Sequence, residues 1–173
     1  MKLLFSALTL ALLASSSVFA GQGAKVNPPY AAPDVESIDQ DGKAVKLSEV
    51  YKANPFVVVY FYPKADTPGC TKQGCSLRDA NADLAKEGVK IIGVSADTAE
   101  AQKKFAEKYN FPFTLLADKE GKVIDAFKVA KNPKGMSSRQ CFIIKDGKVV
   151  WHDPKGATET QADEVKSALK ELK

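Results

Sequence analysis

The sequence predicts an α/β fold in which helices cover a central mixed β-sheet. Residues 56–62 and 89–95 are two apolar runs of strand length, rich in β-branched and aromatic side chains, and such runs are typical of strands buried on both faces. Between them, apolar residues recur at three- and four-residue spacing, which predicts a helix that stops at Gly88. Two further strands around Asp146-Gly147 precede an amphipathic helix over residues 159–172. The closing β-β-α order is typical of a thioredoxin-like fold.

The N-terminal part of the chain predicts a surface segment followed by a hairpin. Residues 21–33 contain several Gly and Pro residues, so we expect an extended lead-in that lies on the surface. Residues 35–38 and 44–47 alternate around Asp41-Gly42, a strong hairpin signal, and we expect this N-terminal β-hairpin to be appended to the main sheet. The shorter predicted elements are a helical turn at 48–51, a helix at 99–109, a strand at 113–117 and a helix or turn at 121–129.

Residues 1–20 have the pattern of a secretory signal peptide. Lys2 precedes an apolar stretch over residues 3–13, and a small polar patch follows before Ala20. A membrane anchor is the alternative, but a spanning helix needs about 20 apolar residues and the polar patch interrupts this run early. We expect cleavage after Ala20, a single domain over residues 21–173, and export to the periplasm or secretion, with no membrane association after cleavage.

Composition narrows the classes of function. The formal net charge is +4, and the Lys residues alternate with Asp and Glu, so no nucleic-acid-binding patch is expected. A single His leaves little material for a His-based triad or metal site, and we expect neither a metal nor a cofactor. The chain has three Cys, so at least one thiol lacks an intramolecular partner.

The stretch from residue 60 to residue 75 predicts a reactive thiol. An apolar strand leads into a turn rich in Pro and Gly, and this turn places Cys70 in the first turn of a helix. The free N–H groups and partial positive charge of a helix N-terminus stabilise a thiolate, which is the nucleophilic form of cysteine. A helix terminus stabilises an anion by up to about 2 kcal/mol, which is worth little more than one pKa unit. A reactive cysteine at such a position therefore needs a cation as well.

The cation predicted for this thiol is Arg139. It lies at the start of a predicted strand of the same sheet, its charge is permanent, and its fork of donors can bond a sulfur and a substrate oxygen together. Lys64 and Lys72 are nearer in sequence but lack such a fork. Arg78 lies about two turns further along the same helix, where a surface or pairing role is expected.

Two residues of the turn are predicted to complete the pocket. Thr67 lies three residues before Cys70, where its hydroxyl can cap the helix and also face the sulfur. A hydroxyl that also donates to a bound oxygen suits a small substrate with two oxygens. Pro63 closes the strand and shields one side of the pocket, without an N–H to satisfy. Capping and turn formation alone would also explain Thr67, Pro63 and Pro68.

Cys75 follows Cys70 by five residues, a spacing that an intact helix does not bridge. The two Cα atoms would lie roughly 8–9 Å apart, on faces about 140° from each other. The limit for a disulfide is roughly 7 Å. Gly74 lowers helix propensity by about 1 kcal/mol relative to Ala, directly beside Cys75. Oxidation to a Cys70–Cys75 disulfide is therefore predicted to unwind the first one or two turns of the helix.

These residues resemble the motifs of a known family. Pro63-x-x-x-Thr67-x-x-Cys70 resembles the peroxidatic motif of the peroxiredoxins, and residues 60–79, with a second cysteine five positions on, are similar to the bacterioferritin-comigratory or Q-type subfamily. The resemblance extends over nearly all of the chain after the leader. It includes residues 138–147, where the family places its active-site arginine.

The resemblance implies a thiol-specific peroxidase with an antioxidant role. Cys70 would attack hydrogen peroxide or an organic hydroperoxide and become a sulfenic acid, in a pocket completed by Pro63, Thr67 and Arg139. Cys75 would resolve the sulfenic acid as an intramolecular disulfide, so a dimer is not needed and we expect a monomer. A thioredoxin-like dithiol protein would supply the electrons, but export would separate this chain from the family's usual thioredoxin.

Cys141 departs from the family pattern, which more often has a hydroxyl residue there. It lies two residues from Arg139 and therefore on the same strand face. A small buried hydrophobe is the simpler interpretation. The alternative is a spare thiol that captures Cys70 when Cys75 fails.

Three other functions use the same cysteines. A thioredoxin-like copper chaperone would need closer thiols or another ligand, and the only His, His152, is distant and expected to be structural. A dithiol oxidoreductase would need Cys-x-x-Cys, which the sequence lacks. A structural Cys70–Cys75 staple would close a short loop, which adds little stability and is opposed by the helix.

Overall fold

A computed structural model of the protein describes residues 23–173. Within this range the chain forms eight strands and five helices. The strands are β1 (Ala24–Ala31), β2 (Glu36–Ile38), β3 (Ala44–Lys46), β4 (Phe56–Phe61), β5 (Val89–Ser95), β6 (Thr114–Ala117), β7 (Gln140–Lys145) and β8 (Lys148–Asp153). The helices are α1 (Leu47–Ala53), α2 (Pro68–Lys86), α3 (Ala99–Tyr109), α4 (Lys122–Ala126) and α5 (Gln161–Leu172). The leader predicted for residues 1–20 lies outside the described residues.

The main sheet is mixed, as predicted, and β4 lies in its interior. Its strand order is β1-β8-β7-β4-β5-β6. β4 pairs in parallel with β5 and antiparallel with β7. Every residue of β4 is buried, because its Val, Tyr and Phe side chains pack on both faces of the sheet. The prediction of a central buried strand is confirmed.

The side chains of β4 alternate between two apolar cores. Val58 and Tyr60 point to the face covered by α2, α3 and α5. Val57 and Val59 point to the opposite face, covered by α1 and α4. The helix that carries the predicted nucleophile therefore packs on one face of the central strand.

The segment predicted to be extended and on the surface is both, and it forms strand β1, in which all residues but one are exposed. Ala24–Ala31 pairs antiparallel with β8 at one edge of the main sheet, with an irregularity in register between Lys25 and Tyr30. Pro28 and Pro29 lie within this irregular part. An edge strand has a neighbour on one side only, so it tolerates prolines that have no N–H to donate. The Pro-rich composition of the predicted extended lead-in is therefore compatible with a strand at this position.

The predicted hairpin is present, but β2 and β3 form a two-stranded sheet of their own. At its tip, Gly42 has a positive φ of 75°, and the Asp39 carboxylate accepts hydrogen bonds from the N–H groups of Asp41 and Lys43 at 2.8 and 2.9 Å. The hairpin meets β6 through an isolated bridge between Asp39 and Leu116 and through the Leu115 N–H, which donates to Gln40 Oε1 at 2.9 Å. The hairpin is therefore attached to the main sheet at β6, as a separate sheet and not as two further strands of the main one. Its three-residue strands cover the β6 edge instead.

The helices follow their local sequence signals. α2 begins with a proline, which the first helical turn accepts, and it ends as predicted where Gly88 takes a φ of 78°. α3 occupies its predicted range, and its cap is Thr98, whose hydroxyl accepts from the N–H of Ala101 at 3.3 Å. Among residues 23–173, no helix combines the length and apolar character needed to cross a bilayer.

Candidate active site

Cys70 and Arg139 meet because of the register of the main sheet. Phe61, the last residue of β4, is the antiparallel partner of Gln140, the first residue of β7. The turn after β4 leads into α2, whose first turn contains Cys70, and Arg139 directly precedes β7. Both residues therefore lie at the same end of the sheet. The Nη2 atom of Arg139 donates a hydrogen bond to the Cys70 sulfur at 3.4 Å. The structure thus brings together the two side chains that the sequence pairs.

Cys70 lies in the first turn of α2 and is almost fully buried, with 1% of its surface exposed. The hydrogen bonds of this helix start with the N–H of Thr71, which donates to the Thr67 carbonyl at 2.8 Å. The N–H groups of Gly69 and Cys70 precede that ladder and belong to the unsatisfied set at a helix N-terminus. A thiolate out of water needs such donors and a positive charge. The Arg139 guanidinium supplies the charge.

The turn that presents the thiol is held by α3 and by the loop before it. Asp66 adopts a left-handed φ of 57°. Its carboxylate accepts from Lys108 Nζ at 2.7 Å and from the Tyr109 hydroxyl at 2.7 Å. These hydrogen bonds, that of Lys108 first, hold the pKa of Asp66 below its usual value. The N–H of Ala65 donates to Asp97 Oδ2 at 2.7 Å, so both ends of the turn are fixed.

Thr67 occupies the N-cap position of α2, but its side chain does not cap the helix. Its hydroxyl donates to the carbonyl of Lys64 at 3.0 Å. The predicted capping bond is therefore wrong, because the hydroxyl closes the preceding turn instead. Thr67 is half-buried and its oxygen retains lone pairs for a further partner. Its contact with a substrate stays a prediction.

Pro63 is half-buried at the point where β4 stops pairing with β5. The preceding residue, Tyr62, still donates its N–H to the Val94 carbonyl at 3.1 Å, and its hydroxyl bonds to Gln102. Pro63 has no N–H to continue this pattern, so it closes the strand without leaving a donor unpaired. The structure places it beside the turn, and its shielding of a pocket stays a prediction.

Gln73 is a buried residue of the site that we did not predict from the sequence. It is 0% exposed, and its Oε1 accepts from Arg139 Nη1 at 2.6 Å. Its Nε2 donates to Oε1 of Gln161 at 2.8 Å. The guanidinium is therefore held between Gln73 and the Cys70 sulfur. The available signal was a lone amide on the buried face of α2, whose other members are small or apolar, namely Cys70, Gly74, Leu77, Ala80 and Leu84.

α2 continues without a break through Cys75, and both its cysteines are free thiols. Cys75 is half-buried and packs against the core beneath the helix. Gly74 beside it is buried, and a Cβ at this position would lie 2.5 Å from Cζ of Phe111. The close approach of Phe111 therefore requires glycine, independently of helix propensity. The helix would have to unwind before Cys70 and Cys75 could bond.

Cys141 lies in β7, fully buried, directly opposite Tyr60 of β4. Burial raises the pKa of the Cys141 thiol well above its ordinary value, and the carboxyl groups of Asp153 and Glu164 raise it further. A thiol in such surroundings is protonated and unreactive. The structure favours the interpretation of Cys141 as a small buried hydrophobe, and its use as a spare thiol stays a hypothesis.

Two other residues considered for chemistry have structural contacts. Arg78 donates to Asp79 Oδ1 at 2.8 Å and to the Tyr109 carbonyl at 2.9 Å. His152 stacks on Phe142 with ring centroids 4.1 Å apart, and burial lowers its pKa. In the part of the chain that the structure describes, no group of three His, Cys, Asp or Glu side chains is placed to hold a metal ion.

The sequence matches known proteins over most of its length. A profile of the AhpC/TSA family matches residues 29–152. Peroxiredoxin Bcp of Bacillus subtilis is 42% identical over 151 residues, which cover 82% of this chain and 92% of the relative. Peroxiredoxin Q, chloroplastic, of Oryza sativa subsp. japonica is 45% identical over 129 residues, which cover 74% of this chain. The chain spans 58% of the length of that rice protein.

The fold is also shared with solved structures. Peroxidoxin BcpB of Mycobacterium tuberculosis has a TM-score of 0.77 and 33% identity, with 84% of this chain and 97% of that chain covered. The predicted thioredoxin-like α/β fold is confirmed by this similarity and by the mixed sheet with helices on both faces. Because the family profile matches well over half of the chain, the protein belongs to the AhpC/TSA family, and the relatives it matches are peroxiredoxins of the Q and Bcp type.

Proposed function

We propose that this protein is a thiol peroxidase that reduces hydrogen peroxide and organic hydroperoxides. The observation that carries the proposal is the 3.4 Å contact between Arg139 Nη2 and Cys70 Sγ at the N-terminus of α2. A buried sulfur beside a permanent cation and free backbone N–H groups is suited to nucleophilic attack. The names of the relatives support the proposal, and they favour neither a copper chaperone nor a dithiol oxidoreductase.

The first step oxidises Cys70. Its thiolate attacks the terminal oxygen of the hydroperoxide, so that an S–O bond forms while the O–O bond breaks. The leaving oxygen takes a proton and departs as an alcohol, or as water when the substrate is hydrogen peroxide. Cys70 becomes a sulfenic acid. Negative charge moves from the sulfur to the leaving oxygen, and the Arg139 fork lies where it can donate to both.

The second step forms a disulfide within the chain. The Cys75 sulfur attacks the Cys70 sulfenic acid, an S–S bond forms, and the hydroxyl leaves as water. α2 has to unwind near its start for the two sulfurs to meet. Backbone amides over residues 68–78 should therefore exchange hydrogen faster in the oxidised protein than in the reduced protein. Identical protection in the two states would contradict this step.

The third step returns the enzyme to its dithiol form. A thiolate of a thioredoxin-like dithiol protein attacks the Cys70–Cys75 disulfide and forms a mixed disulfide, while one cysteine of the enzyme leaves as a thiol. The second thiol of the partner then attacks the partner's sulfur in the mixed disulfide, closes the partner's own disulfide and releases the other cysteine of the enzyme. The two electrons taken by the peroxide are thus replaced by oxidation of the partner. Which dithiol protein acts here depends on the compartment.

We place this activity outside the cytoplasm, in the periplasm, on a monomeric protein. The basic and apolar pattern of residues 1–20 supports a cleaved leader. A disulfide that forms within one chain needs no second subunit. Intact-mass measurement of exported protein should give a chain that starts at Gly21, and sedimentation should give the mass of one chain. A cell-associated protein that retains Lys2 would contradict the placement.

A thiol count tests the peroxidase itself. Fully reduced protein is mixed with a stoichiometric amount of hydrogen peroxide, and free thiol is followed with time. We expect rapid loss of two thiols in the wild type, no rapid loss in Cys70→Ser, and loss of one in Cys75→Ser. A reaction no faster than that of free cysteine would contradict the proposal.

A further inference from the structure

We propose that Gln161, at the start of α5, is a positioning residue that holds the beginning of α2 in helical form. By doing so it sets how often Cys75 can reach Cys70. The inference rests on the proposed Cys70–Cys75 disulfide and adds a residue that controls its formation.

The first turns of α2 are joined to the N-terminus of α5 by three contacts, all of them between the two cysteines or next to Cys75. We call these contacts the α5 clamp. They are the ion pair Lys72–Glu159 at 2.5 Å, the hydrogen bond from Gln73 Nε2 to Gln161 Oε1 at 2.8 Å, and the hydrogen bond from the Ala162 N–H to Ser76 Oγ at 3.1 Å. Unwinding α2 over this segment displaces the residues that make all three.

The Gln73–Gln161 hydrogen bond is the strongest part of the α5 clamp. Both glutamines are 0% exposed, so breaking the bond from one side leaves a buried amide without a partner. Lys72 and Glu159 have side chains that are 57% and 65% exposed, and ion pairs with such exposure contribute little. Gln161 is therefore the residue through which α5 acts on α2.

The α5 clamp also reaches the nucleophile. Gln73 bonds Gln161 through Nε2 and Arg139 through Oε1, so a chain of contacts runs from α5 to the guanidinium that donates to Cys70. When α2 unwinds, Gln73 leaves both partners at once. The closed state thus has Arg139 in place for attack on peroxide, and the open state loses that arrangement while it frees Cys75.

Gln161 itself is fixed, so the α5 clamp opens by movement of α2. A Cβ on Gly156 would lie 3.0 Å from Gln161 Oε1 and 3.2 Å from Arg139 Cγ, which shows that the preceding loop packs tightly on both residues. Ala162 and Val165 anchor the start of α5 in the core. Of the two helices, only α2 has to move for the Cys70–Cys75 disulfide to form.

The α5 clamp is weakened by an unsatisfied donor. The Nε2 atom of Gln161 is buried and has no hydrogen-bond partner among the described residues. Water can hydrogen-bond to this amide when α2 opens, and this hydration offsets part of the free energy lost with the broken contacts. A clamp that is only partly satisfied suits a helix that must open once in each cycle.

A Cys70 sulfenic acid in the closed state has a second fate when peroxide is abundant. Its sulfur can attack another hydroperoxide, forming a second S–O bond as the O–O bond breaks and an alcohol or water leaves. The product is a sulfinic acid, which Cys75 cannot resolve. A tighter α5 clamp therefore favours sulfinic acid, and a looser one favours the disulfide.

The test is Gln161→Met, which keeps the side-chain length and removes both polar atoms. Gln73 Nε2 then loses its acceptor, while the unsatisfied Nε2 of Gln161 is removed as well, so the net change is the loss of one buried hydrogen bond. This loss raises the open fraction of α2 by about threefold to tenfold. We expect hydrogen exchange over residues 71–76 of the reduced protein to be about threefold to tenfold faster, and disulfide formation from the sulfenic acid to speed up by a similar factor. Attack of Cys70 on peroxide should change by less than about threefold, because Gln73 can still bond Arg139.

Leu169→Ala is the matched control, because it removes buried packing from α5 about two turns beyond Gln161 and leaves the contacts of the α5 clamp in place. It should lower overall stability without a selective effect on residues 71–76 or on disulfide formation. If Gln161→Met loosens the whole domain as Leu169→Ala does, or leaves disulfide formation unchanged or slower, the inference is wrong.

Two arrangements keep the test decisive. If Gln161→Met does not fold, Ser76→Ala serves instead, because it removes the acceptor of the Ala162 N–H. Hydrogen exchange at residues 71–76 and disulfide formation should then both be about threefold faster. No local change in Ser76→Ala would then overturn the inference.

Hydrogen exchange in the reduced protein does not depend on peroxide, so it tests the inference separately from the proposed function. Faster exchange at residues 71–76 without any Cys70–Cys75 disulfide would support the hold of Gln161 on α2 and contradict the proposed function.

Discussion

Replacing Arg139 with Met removes the positive charge and both donors while it keeps an unbranched side chain. In the wild type, Nη2 lies 3.4 Å from the Cys70 sulfur and Nη1 lies 2.6 Å from Gln73 Oε1. A hydrogen bond to a charged group contributes about 1.5–3 kcal/mol. At about 1.4 kcal/mol for each factor of ten in rate, this is a factor of roughly 10 to 100, and a lost donor to developing charge has a comparable effect. We expect attack on peroxide to slow by about 100-fold.

The assay isolates the first step by using a Cys75→Ser background. Reduced protein is mixed with excess hydrogen peroxide, samples are quenched by thiol alkylation, and loss of the Cys70 thiol is measured by mass spectrometry. Arg139→Lys keeps the charge without the fork and should fall between the parent and Arg139→Met. Arg78→Met is the matched control, because Arg78 donates to Asp79 and to the Tyr109 carbonyl instead of to Cys70. A rate for Arg139→Met within about threefold of the parent, or an equal loss in Arg78→Met, would refute the role of Arg139.

Two further predictions concern stability. Gly74→Ala should lower the urea midpoint of the reduced protein, because overpacking against Phe111 costs about 1–3 kcal/mol and exceeds the roughly 1 kcal/mol gained in helix propensity. A higher midpoint would contradict this packing. Burial, and then the neighbouring Asp153, raises the pKa of Glu164 to about 7. The folded state therefore favours protonated Glu164, and the free energy of unfolding should fall as pH rises from about 5 to 8. Glu164→Gln should reduce this fall by about 1 kcal/mol, a value that allows for the half-exposed side chain. An equal pH dependence in Glu164→Gln would show that Glu164 is not responsible.

Local sequence signals predicted the elements that carry the site. β4 has the continuous apolar run of a buried strand, and α2 has both a proline at its start and a glycine at its end, so their bounds agree with the structure within one or two residues. The role of Arg139 follows from the energetics of the thiolate. A helix terminus alone is too weak to stabilise a thiolate fully, and that shortfall pointed to a cation on a strand of the same sheet.

Other features depend on partners that a local pattern does not contain. The prolines of β1 predict an extended lead-in, and only the edge position beside β8 makes them compatible with a strand of the sheet. Thr67 has the right position for a cap, but the carbonyl of Lys64 competes for its hydroxyl. Gln73 and Gln161 are 88 residues apart, and each is an ordinary helix former until the packing of α2 on α5 buries both.

The identity of the oxidised product tests the proposed chemistry most directly. Fully reduced wild-type protein is treated with one equivalent of hydrogen peroxide, digested without reductant, and mapped for disulfide-linked peptides. We predict a Cys70–Cys75 disulfide within one chain and Cys141 as a free thiol. A Cys70–Cys141 disulfide, a disulfide between two chains, or an unmodified Cys70 would contradict the proposed cycle.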